Sequence, residues 1–81
     1  MGRYLSKARH HAERIEYYHK IADQHGYAQA VYHWEQLSGL AYRADRSKND
    51  KSDTPMILGI RESVQYMMDE MKERAKKPDS A

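Results

Sequence analysis

Apolar side chains recur along this chain at the spacing of one face of an α-helix, and this periodicity restricts the fold more than any other feature. It predicts helices over residues 3–24, 27–45 and 55–77, while no segment alternates with the period of a strand. The predicted inward-facing residues are Tyr4, Leu5, Ala8, Ala12, Ile15, Tyr18, His19 and Ala22 in the first helix, Tyr27, Ala30, Val31, Trp34, Leu37, Ala41 and Ala44 in the second, and Ile57, Ile60, Val64, Met67, Met68, Met71 and Ala75 in the third. The sequence therefore predicts an all-α fold, a small antiparallel three-helix bundle made of a helical hairpin and a long third helix.

Local signals indicate where the helices begin and end. Gly26 is expected to end the first helix in a left-handed conformation, and the short connection pairs the first two helices as a hairpin. Residues 46–53 contain no apolar side chain, which predicts a loop. Thr54 is expected to cap the third helix, with Pro55 at its first position. The Lys-Lys-Pro run at 76–78 is expected to end it.

Large aliphatic side chains are scarce, since the chain has only ten Leu, Ile and Val residues and no Phe. One small core is therefore the upper limit, and Ala, Met and Tyr must fill much of it. We expect a single helical domain over residues 1–78 and a disordered tail at 79–81. A homodimer in which two hairpins complete each other's cores is an alternative arrangement.

Composition excludes several classes of protein. The absence of Cys excludes disulfides, thiolate metal sites and a cysteine nucleophile. No apolar run is long enough to span a membrane and no signal peptide is recognisable, so a cytoplasmic protein without a membrane partner is expected. The net charge of +2 is too small to indicate a polyanionic partner by itself.

The sequence offers little for catalysis or metal binding. Glu16 and His19 form one E-x-x-H pair, but a di-iron bundle needs two such pairs and two further Glu. No Ser lies in a recognisable nucleophile turn, and the Gly residues are too scattered for a phosphate-binding loop. We therefore expect no enzyme activity, no cofactor and no metal.

A basic stripe on the first helix is the first candidate site. Its members share one side of the helix with no acidic residue among them, and they are Arg3, Lys7, His10, Arg14 and Tyr17. Such a stripe could follow a phosphate backbone with the Tyr stacked on a base, or dock on an acidic protein groove. The alternative is a solvated helix flank without a partner.

A nearly uncharged face on the second helix is the second candidate site. It lies opposite the apolar stripe and contains the predicted partner-binding residues Gln29, Tyr32, Gln36, Leu40 and Arg43, with Gly39 among them. A solvated helix in a chain that is 32% charged is expected to carry more charge than this. Packing of Leu40 or Tyr32 against the third helix is the alternative.

These features favour a small non-enzymatic protein-binding module. By analogy with small free-standing helical proteins, it would be an inhibitor from a phage or mobile element that occupies the surface of a host nucleic-acid-processing assembly, such as a CRISPR effector. The alternative is a small nucleic-acid-binding regulator that uses the basic stripe.

Overall fold

The computed structural model describes residues 3–21 and 25–76. These residues form helices α1 (Arg3–Ile21), α2 (Gly26–Asp45), α3 (Thr54–Ser63) and α4 (Gln65–Lys76), with a short 3₁₀ turn at Lys51–Asp53. No strand occurs in this part of the chain, and the predicted all-α bundle is confirmed. The predicted helix ends at 22–24 and at 77–78, and the predicted tail at 79–81, lie outside the described residues.

Helices α1 and α2 form the hairpin, but Gly26 has a different role from the predicted one. It begins α2 and does not have the left-handed backbone expected of a residue that ends a helix. A Cβ at this position would lie 3.3 Å from the carbonyl oxygen of Tyr18 and 3.4 Å from its Cβ. Glycine is therefore favoured here by the close approach of the two helices rather than by a turn.

The connection before α3 is more ordered than a plain loop. Asp50 is buried there and accepts a hydrogen bond of 3.1 Å from the hydroxyl of Ser47. The predicted capping role of Thr54 is wrong, because Thr54 is already the first residue of α3 and its Oγ1 is buried without a hydrogen-bond partner. Asp53 occupies the cap position, and it makes no capping hydrogen bond through its side chain.

The predicted long third helix is present and is bent at Val64, the single residue between α3 and α4. The Val64 backbone has φ −104° and ψ 5°, and its N–H donates to the carbonyl of Arg61, three residues earlier. The hydroxyl of Ser63 donates to the carbonyl of Ile60 at 2.6 Å, which competes with the regular helical bonds. The bend keeps the Val64 side chain in the core, where it is 1% exposed.

The core contains the predicted inward faces of the helices, built largely from small residues and Met. Its buried members are Ala8, Ala12, Ile15, Ala30, Leu37, Leu40, Ala41, Ala44, Ile57, Val64, Met68 and Met71. Tyr and Trp side chains pack around this cluster while remaining partly exposed. The prediction that Ala75 faces inward is wrong, since α4 extends beyond the core and this residue is exposed.

Candidate interaction surface

The basic stripe lies on the outer side of α1, and aromatic rings hold one of its cations in place. Arg14 lies with its guanidinium carbon 4.8 Å from the ring centre of Tyr17 and 5.3 Å from that of Tyr18, and it donates a hydrogen bond of 3.2 Å to the Tyr18 hydroxyl. Since Tyr17 and Tyr18 follow Arg14 by three and four residues, the helix itself produces this stacking.

The other members of the stripe are open to solvent. Arg3, Lys7, His10 and Tyr17 are exposed, and Arg14 is half-buried. Arg3 stacks on the ring of the half-buried Tyr4, with a distance of 5.0 Å to the ring centre. The stripe is therefore accessible to a partner along its full length.

The predicted outward face of α2 is only partly outward. Gln29, Tyr32 and Arg43 are exposed, and Gln36 is half-buried. Leu40, by contrast, is 2% exposed and belongs to the core, so its predicted place in the partner-binding set is corrected. The reason is its position three residues after Leu37 and four before Ala44, both of which are fully buried on the same side of the helix.

Gly39 does not leave open space on this face either. A Cβ at Gly39 would lie 3.7 Å from Nη2 of Arg43, so the guanidinium of Arg43 already covers the glycine. The approach of a partner's backbone at this point would need that side chain to move. The accessible part of the α2 face therefore consists of Gln29, Tyr32 and the side chain of Arg43, with the half-buried Gln36 at its border.

Histidines connect the two candidate sites. Nδ1 of His11 lies 2.8 Å from Nδ1 of His33, which joins α1 to α2 by a ring-to-ring hydrogen bond. The ring of His33 also contacts Tyr18 in a stacked arrangement at 6.2 Å and Tyr32 edge-on at 5.0 Å. His10 completes the group, with its ring centre 5.4 Å from that of His11. The basic stripe and the α2 face are thus neighbouring parts of one surface.

We call this the basic–aromatic surface and define it by Lys7, His10, Arg14 and Tyr17 on α1 together with Gln29, Tyr32, His33 and Gln36 on α2. The sequence interpretation treated its two halves as separate. It also missed His11 and His33, which are the residues that join them. Helical periodicity alone gives no signal for this contact, because it does not fix the register in which α1 and α2 pair.

The histidine pair is held in its neutral form. Burial is the main cause that lowers the pKa of His11 and of His33 below the ordinary value of a histidine. For His11 the neighbouring His33, His10 and Lys7 lower the pKa further, and for His33 the guanidinium of Arg14 and the ring of His10 do so. Near neutral pH the pair therefore adds no positive charge to that of Lys7 and Arg14.

One groove on α4 is lined mostly by acidic side chains, although the helix as a whole carries three acidic and three basic residues. Asp69, Glu70 and Glu73 line an open groove of about 510 Å³ together with Arg74. Oε1 of Glu70 lies 2.6 Å from Nε2 of His19, and Arg74 donates a hydrogen bond of 3.1 Å to the carbonyl of His19. His19 is half-buried and is bonded to α4 rather than paired with Glu16.

Within residues 3–21 and 25–76, no group of three or more His, Asp or Glu residues is arranged to hold a metal ion. None of the helices in this part of the chain combines the length and apolarity needed to cross a bilayer. Comparisons of the chain with protein-family models, with curated proteins and with solved structures gave no match.

Proposed function

We propose that this protein is a non-enzymatic binding module that docks on an acidic surface of another protein through its basic–aromatic surface. The observation that carries the proposal is the continuity created by the contact between His11 and His33, which places the basic stripe beside the exposed part of the α2 face. A partner that covers one half of this surface will also meet the other.

The two halves suit different parts of a binding event. Exposed cations such as Lys7 steer an acidic partner during approach and influence the association rate. Tyr32, which is 55% exposed, offers a large ring with a polar end, the kind of side chain that is enriched among residues that dominate binding energy. Arg14 is held in place by the rings of Tyr17 and Tyr18, so little side-chain entropy is lost when it pairs with a carboxylate.

Nucleic-acid binding is the second candidate function. It is favoured by the spacing of Arg3, Lys7 and Arg14 along α1, with the exposed ring of Tyr17 among them. The protein partner is preferred because the histidine pair is neutral near pH 7 and few cations remain to neutralise phosphates. The α2 half, with Gln29 and Gln36, also lacks the cations that read base edges.

The finer hypothesis concerns the biological role. A module of this size that acts by covering a surface would work as an inhibitor, and the sequence analogy points to a phage or mobile-element protein that targets a host nucleic-acid-processing assembly. In that setting the α1 cations would act as steering charge toward the assembly or its bound nucleic acid.

Affinity capture with matched variants tests the proposal. Tagged protein is used to recover partners for mass spectrometry, and the recovered partner is then titrated against the purified variants. Tyr32→Ala and Lys7→Glu are expected to abolish or strongly weaken binding. The controls are Tyr66→Ala and Lys72→Glu on α4, since Tyr66 is 54% exposed, close to the 55% of Tyr32, and Lys72 is also exposed. Equal effects of the two pairs of variants would contradict the proposed surface.

A salt titration separates the two candidate functions. Mobility shifts with mixed-sequence single-stranded and duplex DNA at low salt would support nucleic-acid binding if they fade steeply as salt rises and are weakened by Arg3→Ala, Lys7→Ala and Arg14→Ala alike. The absence of a shift at low salt rejects this second function and leaves the protein-binding proposal in place.

A further inference from the structure

The contact between His11 and His33 depends on the number of protons that the two rings carry. With Nδ1 facing Nδ1 at 2.8 Å, one ring must donate and the other must accept. The donor ring can take up a proton at its Nε2 and still donate from Nδ1, so the hydrogen bond survives a first protonation. A second proton has to occupy the accepting Nδ1, which leaves two donors facing each other and breaks the bond.

The surroundings of the pair oppose its protonation. The charged and titratable groups that face it are Lys7, His10 and Arg14 on α1, and the rings of Tyr18 and Tyr32 pack against His33. Each of the three α1 groups is basic, and burial adds to their effect by disfavouring the charged ring. Acidification thus adds positive charge to His11 and His33, which already lie among basic groups.

We propose that the His11–His33 pair is an acid-sensitive clasp between α1 and α2, which is closed near neutral pH and which on acidification opens and adds positive charge to the basic–aromatic surface. The titration of the clasp is a property of the protein without a partner. Its consequence for binding rests on the proposed function. Acid would therefore strengthen the attraction of an anionic partner while loosening the hairpin that presents the surface.

The direction of the stability change follows from proton linkage. Because the pKa of each ring is lower in the folded chain than in the unfolded chain, the unfolded chain binds protons more readily as the pH falls below about 6.5. Above that pH the pair has no effect of this kind on the free energy of unfolding. Below it, stability decreases until the pH has passed the lowered pKa values of the folded state.

Thermal unfolding of the full chain between pH 7.5 and pH 5.5 provides the first test. His33→Gln is expected to remove about half or more of the acid-induced fall in melting temperature, since only one of the two rings remains to be charged. His19→Gln is the matched control, because His19 bonds to Glu70 on α4 away from the pair, and its fall is expected to match that of the wild type. A fall in His33→Gln equal to that of the wild type overturns the proposal.

Nitrogen-15 NMR of the imidazole rings in the unmodified chain provides a test that needs no variant to fold. His11 and His33 are expected to titrate below the ordinary range of a histidine, with the signal of each ring changing as the other takes up its proton. In His33→Gln the titration of His11 is expected to move toward the ordinary range. Independent titration of the two rings at the ordinary pH of a histidine overturns the proposal.

Retention on immobilised heparin distinguishes a failure of the clasp from a failure of the proposed function. The sulfates of heparin stay charged between pH 7.5 and pH 5.5. The salt needed for elution is expected to rise from pH 7.5 to pH 5.5 in the wild type and to rise less in His33→Gln than in His19→Gln. If the two variants elute alike although the NMR titration shows the clasp, the basic–aromatic surface is not the anion-facing one. In that case the proposed function fails and the acid-sensitive contact stands.

Discussion

Replacing Leu40 and Tyr32 separately distinguishes the buried part of the α2 face from its accessible part. Leu40 is 2% exposed and Tyr32 is 55% exposed, although they lie on the same helix two turns apart. Truncation of a fully buried Leu to Ala typically lowers the free energy of unfolding by about 2–5 kcal/mol. Truncation of an exposed side chain usually changes it by less than about 0.5 kcal/mol. The loss of unfolding free energy should therefore be severalfold larger in Leu40→Ala than in Tyr32→Ala.

The expected shifts in melting temperature are large enough to measure without ambiguity. In a domain of this size 1 kcal/mol corresponds to about 4–8 °C, so Leu40→Ala should lower the melting temperature by roughly 8–40 °C and Tyr32→Ala by less than about 4 °C. Circular dichroism at 222 nm follows the melt, and urea unfolding gives the free energy independently.

A volume-conserving control protects this comparison against complete unfolding of Leu40→Ala. Leu40→Met keeps most of the buried volume and should cost less than about 1.5 kcal/mol. Equal losses in Leu40→Ala and Tyr32→Ala would refute the assignment of Leu40 to the core and of Tyr32 to the surface. It would also remove the reason for using Tyr32 as the probe of partner binding.

Three further predictions concern other parts of the fold. Gly59→Ala should raise the free energy of unfolding by about 0.5–1 kcal/mol, since a Cβ there meets no atom within 4 Å. Gly26→Ala should raise it by less, because its Cβ would crowd Tyr18. Equal melting temperatures of the two variants would contradict the close approach at Gly26. Thr54→Val should raise stability by about 1 kcal/mol in urea unfolding, because it removes a buried hydroxyl that has no partner, and a loss would show that the hydroxyl is bonded. Arg61→Ala should lower the free energy of unfolding by about 1–2 kcal/mol, since the guanidinium lies 4.3 Å from the Trp34 ring centre and donates a hydrogen bond of 2.9 Å to Ser38. Arg46→Ala should lower it by less, because Arg46 is exposed and bonds to Tyr42 on its own helix end. Thermal melts compare the two variants.

The helical fold was predictable because the core depends on periodicity more than on particular side chains. Apolar positions such as Ala8, Ile15 and Leu37 repeat at helical spacing and are fully buried in the structure. The second helix was predicted to within one residue of its observed start. The bend at Val64 was not predictable in this way, because the apolar stripe continues through it and only the backbone departs from the helix.

The candidate site was less predictable, because it depends on how the helices are rotated and aligned against each other. Leu40 was predicted on the outer face, at its edge next to the core stripe, and its burial depends on the orientation of α2 in the bundle. The contact between His11 and His33 depends on the register of the hairpin, which the sequence analysis did not work out. Positions at the edge of a helical stripe are therefore where inference from sequence alone is weakest.

The unequal attachment of the C-terminal helices has a consequence for how the molecule opens. Arg61 ties α3 to α2 through partly buried contacts, whereas α4 meets α1 through the exposed Glu70 and through Arg74, and every described residue of α4 after Met71 is exposed. Exposed ion pairs contribute little to stability, so the last turns of α4 separate at a lower free energy than the hairpin does. Amide protons there exchange with solvent first, through a partial opening that leaves α1 and α2 paired.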